Sequence, residues 1–418
     1  MDYNLNRNYL LLKTSRLQVG ILSLILIAGF TSPVFADSSS GENEGYTPRN
    51  ISNPQDLLPV GGSAPTFFGN GGVSTDGCGS NPSPCTLQAE VPAGSTVVSA
   101  WLYAANNFLA CPATVDVTLD ATPYVLAELT HNTFSAFNLC SYRADVTSQV
   151  AATVGAGGGI TAFTSTEGAP GTDTIDGTAL VVVYSNPTEP ETSVIVLDGG
   201  LDSAGQQTIV GLAAPLDKTI PGFTATMALG INFGNQGVGP GTDQCGTTQV
   251  SEIDINGQRL TSCAGNADDG PLAFTGGALF TVGGVGDSTN NPANPFATGT
   301  GFDDELYDLE PFLTQGDTQI VIDTVNPSDD DNIFLAVFAL SAQASLEICD
   351  NGIDDDGDGL IDLADPDCQV DSGVVGGEFL PIETTSLILA GAQSFSWTIP
   401  LVLSIVGIGI FVVSRKIE

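Results

Sequence analysis

Apolar and polar residues in the middle of the chain follow a period of two, or run together in short blocks. Val115, Val117 and Leu119 alternate with Asp116 and Thr118, and Ile253 and Ile255 flank Asp254. Alternation places one face on a core and the other in water, which predicts half-buried strands. Residues 180–184 and 194–197 are unbroken apolar runs and predict strands covered on both faces. The turn residues Asn186-Pro187-Thr188-Glu189-Pro190 between these runs suggest that the two strands form a hairpin. No amphipathic run in this region is long enough for a substantial helix. Fifty glycines and 24 prolines supply the turns that many short strands need.

The order of elements recurs. One series has an apolar strand around Trp101, then 115–119, a short segment opened by Asp145, 160–164 and 180–184. The other has 227–233, then 253–255, a short segment opened by Asp308, 320–324 and 333–340. The fold class this predicts is all-β, with two antiparallel β-sandwich, jelly-roll-like units in tandem over 59–203 and 204–345.

The ends supply an address. Arg7, Lys13 and Arg16 precede an apolar run at 19–30, and Val34-Phe35-Ala36 fits a cleavage site, so 1–36 is expected to be a cleaved signal peptide. Residues 37–58 are polar and turn-rich, read as a flexible arm, and carry a glycosylation sequon at Asn50. Near the other end, 397–413 is apolar and uncharged and is followed by Arg415 and Lys416. That predicts a transmembrane helix over 397–414, at the short edge of a spanning length, with 415–418 as a cytoplasmic tail. Residues 370–396 read as a linker. The expected localisation is the cell surface, as a single-pass membrane protein with its N-terminal part outside.

Charge changes the picture of possible partners. The chain carries 48 acidic residues against 9 Lys and Arg, a formal net charge of −39. All the acids except Asp2 and Glu418 lie between the two apolar ends, where only Arg49, Arg143, Lys218 and Arg259 oppose them. Nucleic acid is excluded as an expected partner, because phosphates are held by Lys and Arg. Cations are the natural counterpart of such a surface.

Cys78, Cys85, Cys111, Cys140, Cys245, Cys263, Cys349 and Cys368 all lie in the exported part, and their even number suits disulfides in an oxidising compartment. Sequence leaves 105 connectivities open. Pairing between nearest neighbours is preferred: Cys78 with Cys85, Cys111 with Cys140, Cys245 with Cys263, and Cys349 with Cys368. No CxxC pairs suggest zinc.

The sharpest motif is CDNGIDDDGDGLIDLADPDC, 349–368. Asp354, Asp356 and Asp358 stand two residues apart, and Gly359 sits where a calcium loop turns sharply. Leu360 follows with a backbone carbonyl to offer, and Asp362 and Asp365 occupy positions nine and twelve. This matches the 12-residue calcium loop, with Asp in place of the closing Glu. The expected cofactor is calcium, held by 346–369 as a disulfide-flanked loop. The flanks are too short for paired EF-hand helices, and the Cys-flanked form resembles thrombospondin type-3 repeats. The alternative is an acidic, solvated linker. Asp303-Asp304-Glu305, Asp329-Asp330-Asp331 and Asp268-Asp269 are weaker acidic clusters, expected to be solvated.

An enzyme reading has little to work with. His131 is the sole histidine, and phosphate loops and dinucleotide glycine patterns are absent. A glycosidase needs only two carboxylates, but few aromatic residues are present to stack on sugar.

Three stretches carry a resemblance: 283–288 (GGVGDS), 303–309 (DDELYDL) and 326–332 (NPSDDDN). They resemble secreted bacterial and archaeal β-proteins of unknown function. Pro381-Ile382-Glu383, the apolar run and the basic end are similar to the sorting tail such proteins carry. The archaeal PEFG-type tail is the nearest variant; Glu378-Phe379 matches part of it and the literal Pro-Glu-Phe-Gly is absent. The resemblance implies recognition by a sortase-like membrane enzyme. The function expected from these readings is a membrane-anchored surface protein with a calcium-stabilised stalk, acting in adhesion, envelope structure or ligand binding. Its surface ligand or envelope partner is not named by the sequence. The alternative is an extracellular carboxylate-dependent hydrolase on the same scaffold.

Overall fold

The structure is a computed structural model. It describes residues 56–347 apart from 62–64, 80–82, 107–110, 135–136, 169–174, 202–203, 233–249, 265–279, 298–304 and 329–331. The expected signal peptide, Asn50, the calcium loop, the linker and the C-terminal apolar run lie outside the described residues.

The described chain is predominantly β, with antiparallel pairing throughout. After a short strand β1 (Leu58–Pro59), a first series comprises β2 (Phe67–Gly79), β3 (Cys85–Val91), β4 (Thr96–Asn106), β5 (Thr114–Leu119), β6 (Thr122–Phe134) and β7 (Phe137–Asp145). It continues with helix α1 (Thr147–Val154), β8 (Gly159–Glu167) and β9 (Ile175–Ser185). A second series comprises β10 (Glu191–Asp198), β11 (Gln206–Leu212), β12 (Ala225–Asn232), β13 (Glu252–Ile255), β14 (Gln258–Thr261), β15 (Phe280–Val282) and β16 (Leu306–Asp308). A 3-10 turn (Glu310–Phe312), β17 (Gln319–Val325), β18 (Asn332–Leu340) and β19 (Ala344–Glu347) complete it.

The two series pair alike. β9 lies between β2 and β4, and β18 lies between β10 and β12. β5 lies between β6 and β8, and β13 between β14 and β17; β8 then pairs with β3, and β17 with β11. Single bonds recur as well. Asp120 and Ala121 turn β5 into β6 at φ 45° and 65°, while Asn256 and Gly257 turn β13 into β14 at 50° and 71°. Both central residues need positive φ in this hairpin type, which Asp, Asn and Gly tolerate best. The Asp120 carboxylate accepts from Thr164 N at 2.8 Å, and the Asn256 amide oxygen accepts from Val321 N at 2.9 Å. Asp145 accepts from Thr147 N at the start of α1 (2.8 Å), and Asp308 accepts from Glu310 N at the start of the 3-10 turn (2.9 Å). An acceptor at such a start satisfies one of the donors a helix leaves open.

The expected hairpin of 180–184 and 194–197 is not formed. β2 lies between β9 and β10: residues 71–79 pair with β9, and 67–70 pair with β10. The 186–190 turn steps across β2, with Asn186 N on Asn70 O (2.8 Å) and Gly71 N on Pro190 O (3.2 Å). Gly71 is required there, because a Cβ would stand 2.1 Å from Tyr184 O.

Three apolar clusters follow from this arrangement. One is built from the first series, with Leu87, Leu102, Val117, Leu126, Phe163 and Leu180. A second is built mainly from the second series, with Met227, Ile231, Ile253, Ile322, Phe338 and Leu340. The third joins the outward faces of both, with Tyr103, Val181, Val196, Phe280, Phe334 and Val337. β9 and β10 are therefore covered on both faces, as their unbroken apolar runs predict. At the N-terminal edge Leu57 is buried and exchanges hydrogen bonds with the Gln206 side chain (2.8 and 3.1 Å).

The disulfides Cys78–Cys85 and Cys111–Cys140 are formed as expected, with Cα atoms 6.0 and 5.7 Å apart. Cys263 is also disulfide-bonded. Cys245, Cys349 and Cys368 lie outside the described residues.

Candidate functional site

Buried charge is the most informative chemistry in the described body, because an ionised group leaves water only at a cost that partners must offset. Two places concentrate it, and both join the first series to the second.

At the first, β10 ends on Asp198, which is 7% exposed. Its Oδ2 accepts from Tyr103 Oη of β4 at 2.8 Å and from Arg143 Nη1 of β7. Tyr103 is fully buried, while Arg143 reaches partial exposure. Next to them Ser141 donates to Gly199 O, and Gly199 N donates to Phe334 O at 3.0 Å. Burial pushes the Asp198 carboxyl above its ordinary value, opposed by the Arg143 charge and by the bonds from Tyr103 and Arg143. Burial, then the Asp198 charge, pushes the Tyr103 phenol well up. The geometry is that of a pinned ion pair with its phenol donor.

At the second, Asp76 of β2 is 4% exposed and accepts from Gln88 N of β3 through Oδ2. The loop after β15 lies directly on this strand. Val285 N donates to Thr75 O (2.9 Å), Thr75 Oγ1 donates to Gly283 O (2.6 Å), and Gly284 N donates to Asp287 Oδ2 (2.6 Å). Burial, with the Asp287 charge adding to it, pushes the Asp76 carboxyl up to about 7. Asp176 of β9 is a third buried carboxyl, pushed well above its ordinary value by burial and then by Glu167.

The described basic residues are tied to the chain itself. Arg143 holds Asp198. Lys218 Nζ donates to Glu310 O and Leu313 O at 2.7 and 2.8 Å, closing the end of the 3-10 turn. Arg259 of β14 donates to Asp254, to Glu252 at 2.9 Å and to Ser262 at 2.6 Å, and its guanidinium stands 5.7 Å from the ring of the exposed Phe296.

The metal ligands predicted from sequence, Asp354, Asp356, Asp358, Leu360, Asp362 and Asp365, lie outside the described residues. So do Asp268, Asp269, Asp303, Asp304 and the 329–331 triplet; Glu305, the last member of the 303–305 cluster, is fully buried, against the expectation that this cluster is solvated. Among the described residues no three or more His, Cys, Asp or Glu side chains form a metal-holding group. His131 stands on β6 opposite Cys140 of β7. A cavity in the second core is lined by Ile195, Val210, Ile322, Phe338 and Leu340 and holds no titratable group. Among the described residues no helix is long and apolar enough to cross a membrane.

Sequence reasoning passed over Asp76, Asp198, Tyr103 and Arg143. One signal for Arg143 was present, since it is one of only four cations set among the acids between the two apolar ends. The acids had none, being a few among 48.

These features define a sandwich-like, disulfide-bonded β-protein with buried charge where its two series of strands meet. The chain belongs to a family of proteins of unknown function, DUF3344, whose model matches residues 65–326, from just before β2 to just after β17. No curated protein and no solved structure matches the chain.

Proposed function

We propose that this is an exported, membrane-anchored cell-surface protein whose β body acts in adhesion, envelope structure or ligand binding. The observation that carries the reading is the pairing of Cys78 with Cys85 and of Cys111 with Cys140 inside the body. Disulfides persist in oxidising, extracytoplasmic surroundings, and they lie between a signal-like start and an apolar run with a basic stop. The body comprises two tandem sandwich units of jelly-roll type, the second beginning at β10, because β10 pairs as β2 does. The calcium loop at 354–365 stiffens the stalk between body and membrane. The tail is of the sorting type, read by a sortase-like enzyme. The sequon at Asn50 suits an exposed arm.

The hydrolase reading has one feature in its favour: a carboxyl with a pKa of about 7, Asp76, lies near a second, Asp287, the kind of pair that glycoside hydrolysis uses. Asp76 is only 4% exposed and engaged by β3, so the binder reading is preferred.

Truncation tests the address. A chain ending before Gly391 is expected in the medium, while the full chain stays with membranes. Retention of the truncated chain on membranes overturns the anchor assignment.

A further inference from the structure

We propose that Asp76 and Asp287 form a proton-operated latch between the two series of strands. With Asp76 protonated, both β3 and the 283–287 loop are held on β2. With both groups ionised, the hold on β3 loosens.

The geometry singles out this place. β3 ends the larger sheet, and among the described residues its main-chain partner strand is β8. Its other edge faces β2, and its N–H groups are met there by side chains: Gln88 N by Asp76, and Glu90 N by Ser74 Oγ at 2.9 Å. Unpaired edge groups must find such partners, or be left in want of hydrogen bonds. In the second series the corresponding edge, β11, is closed differently, by main-chain pairing with β19. One closure therefore depends on a titratable side chain and the other does not.

The same carboxyl meets the second series. The loop backbone lies so close to β2 that a Cβ on Gly284 would stand 1.9 Å from Thr75 O. This brings Asp287 toward Asp76, with its Oδ2 already accepting from Gly284 N. Among groups on the packed elements, β9 places the uncharged Leu180 opposite Asp76 in register, β3 contributes Gln88 and the exposed Glu90, and the loop contributes Asp287. A carboxylate would accept the Gln88 bond more strongly than a carboxyl group. Burial and the like charge of Asp287 outweigh that gain and carry the titration up to about 7.

The sign follows from linkage. The folded state holds the Asp76 proton more tightly than the unfolded chain, whose value is near 3.8. The stability Asp76 contributes is complete below about pH 4, is lost as pH rises to about 7, and is flat above that.

The test is amide exchange of the full-length protein between pH 5.5 and 8.5, corrected for intrinsic rates. Protection of Gln88 and Glu90 is expected to fall about ten-fold or more between pH 6 and 8. Asp76→Asn should remove the pH dependence while keeping an acceptor for Gln88 N, and Asp287→Asn should move the midpoint down. Constant protection in the wild type, or an equal fall in Asp76→Asn, overturns the latch. If Asp76→Asn does not fold, carbon-13 titration of the wild-type Asp76 carboxyl decides: a midpoint near 7 supports it, and one below 5 overturns it.

Discussion

Arg143→Met is expected to destabilise the protein by about 3–5 kcal/mol, read as a lower denaturant midpoint with an unchanged slope. The substitution keeps much of the arginine stem volume but removes the charge that faces Asp198. Asp198 is 7% exposed, so it keeps its own desolvation cost and loses its counter-charge. Tyr103 cannot replace that charge, because its hydroxyl is a neutral donor already engaged at 2.8 Å. Asp198→Asn should cost less, since an amide oxygen still accepts from Tyr103 and no buried anion remains. The double variant should therefore recover part of the Arg143→Met loss. If Arg143→Met alone is neutral, the pair is not what holds β10 against β4 and β7.

Calcium removal has the second large expected effect. We expect calorimetry on the full chain to detect calcium binding that Asp356→Ala with Asp358→Ala weakens by more than about 100-fold. Changes in groups that merely support a ligand already cost about 10–100-fold, and these two substitutions take away ligands themselves. Six aspartates within 354–365, five of them predicted ligands, repel one another unless a cation offsets them. Calcium accepts six to eight oxygens at about 2.3–2.6 Å, whereas magnesium demands a tighter octahedron, so magnesium should compete poorly. A Cys349–Cys368 bridge would reduce the ordering cost of the loop. Equal heats for wild type and double variant would remove calcium from the account.

What the sequence made legible was whatever a period or a local turn encodes. Val115, Val117 and Leu119 are buried around an exposed Asp116, because alternation fixes a face locally. Asp145 and Asp308 mark the starts of α1 and the 3-10 turn, since a carboxylate beside open N–H groups needs no distant partner. The apolar runs at 180–184 and 194–197 are buried on both faces. Their supposed hairpin failed because the intervening strand, β2, reads FFGNGGVSTDGCG and has too few apolar residues to announce itself. Its glycines serve close approach, as Gly71 does against Tyr184, and approach of that kind leaves no periodic signal. The buried acids were illegible for a related reason. Asp76, Asp176 and Asp198 look like any other acid in the chain, and only long-range pairing decides which of them leaves water.

The reading as an exported surface protein is tested most directly by shaving intact cells with protease and mapping the released peptides without reduction. The account predicts an N-terminus at Asp37 for the mature chain. It also predicts surface-released peptides in which Cys78 is joined to Cys85, Cys111 to Cys140, Cys245 to Cys263 and Cys349 to Cys368. A chain that still begins at Met1, carries free thiols and yields no peptide from intact cells would contradict it.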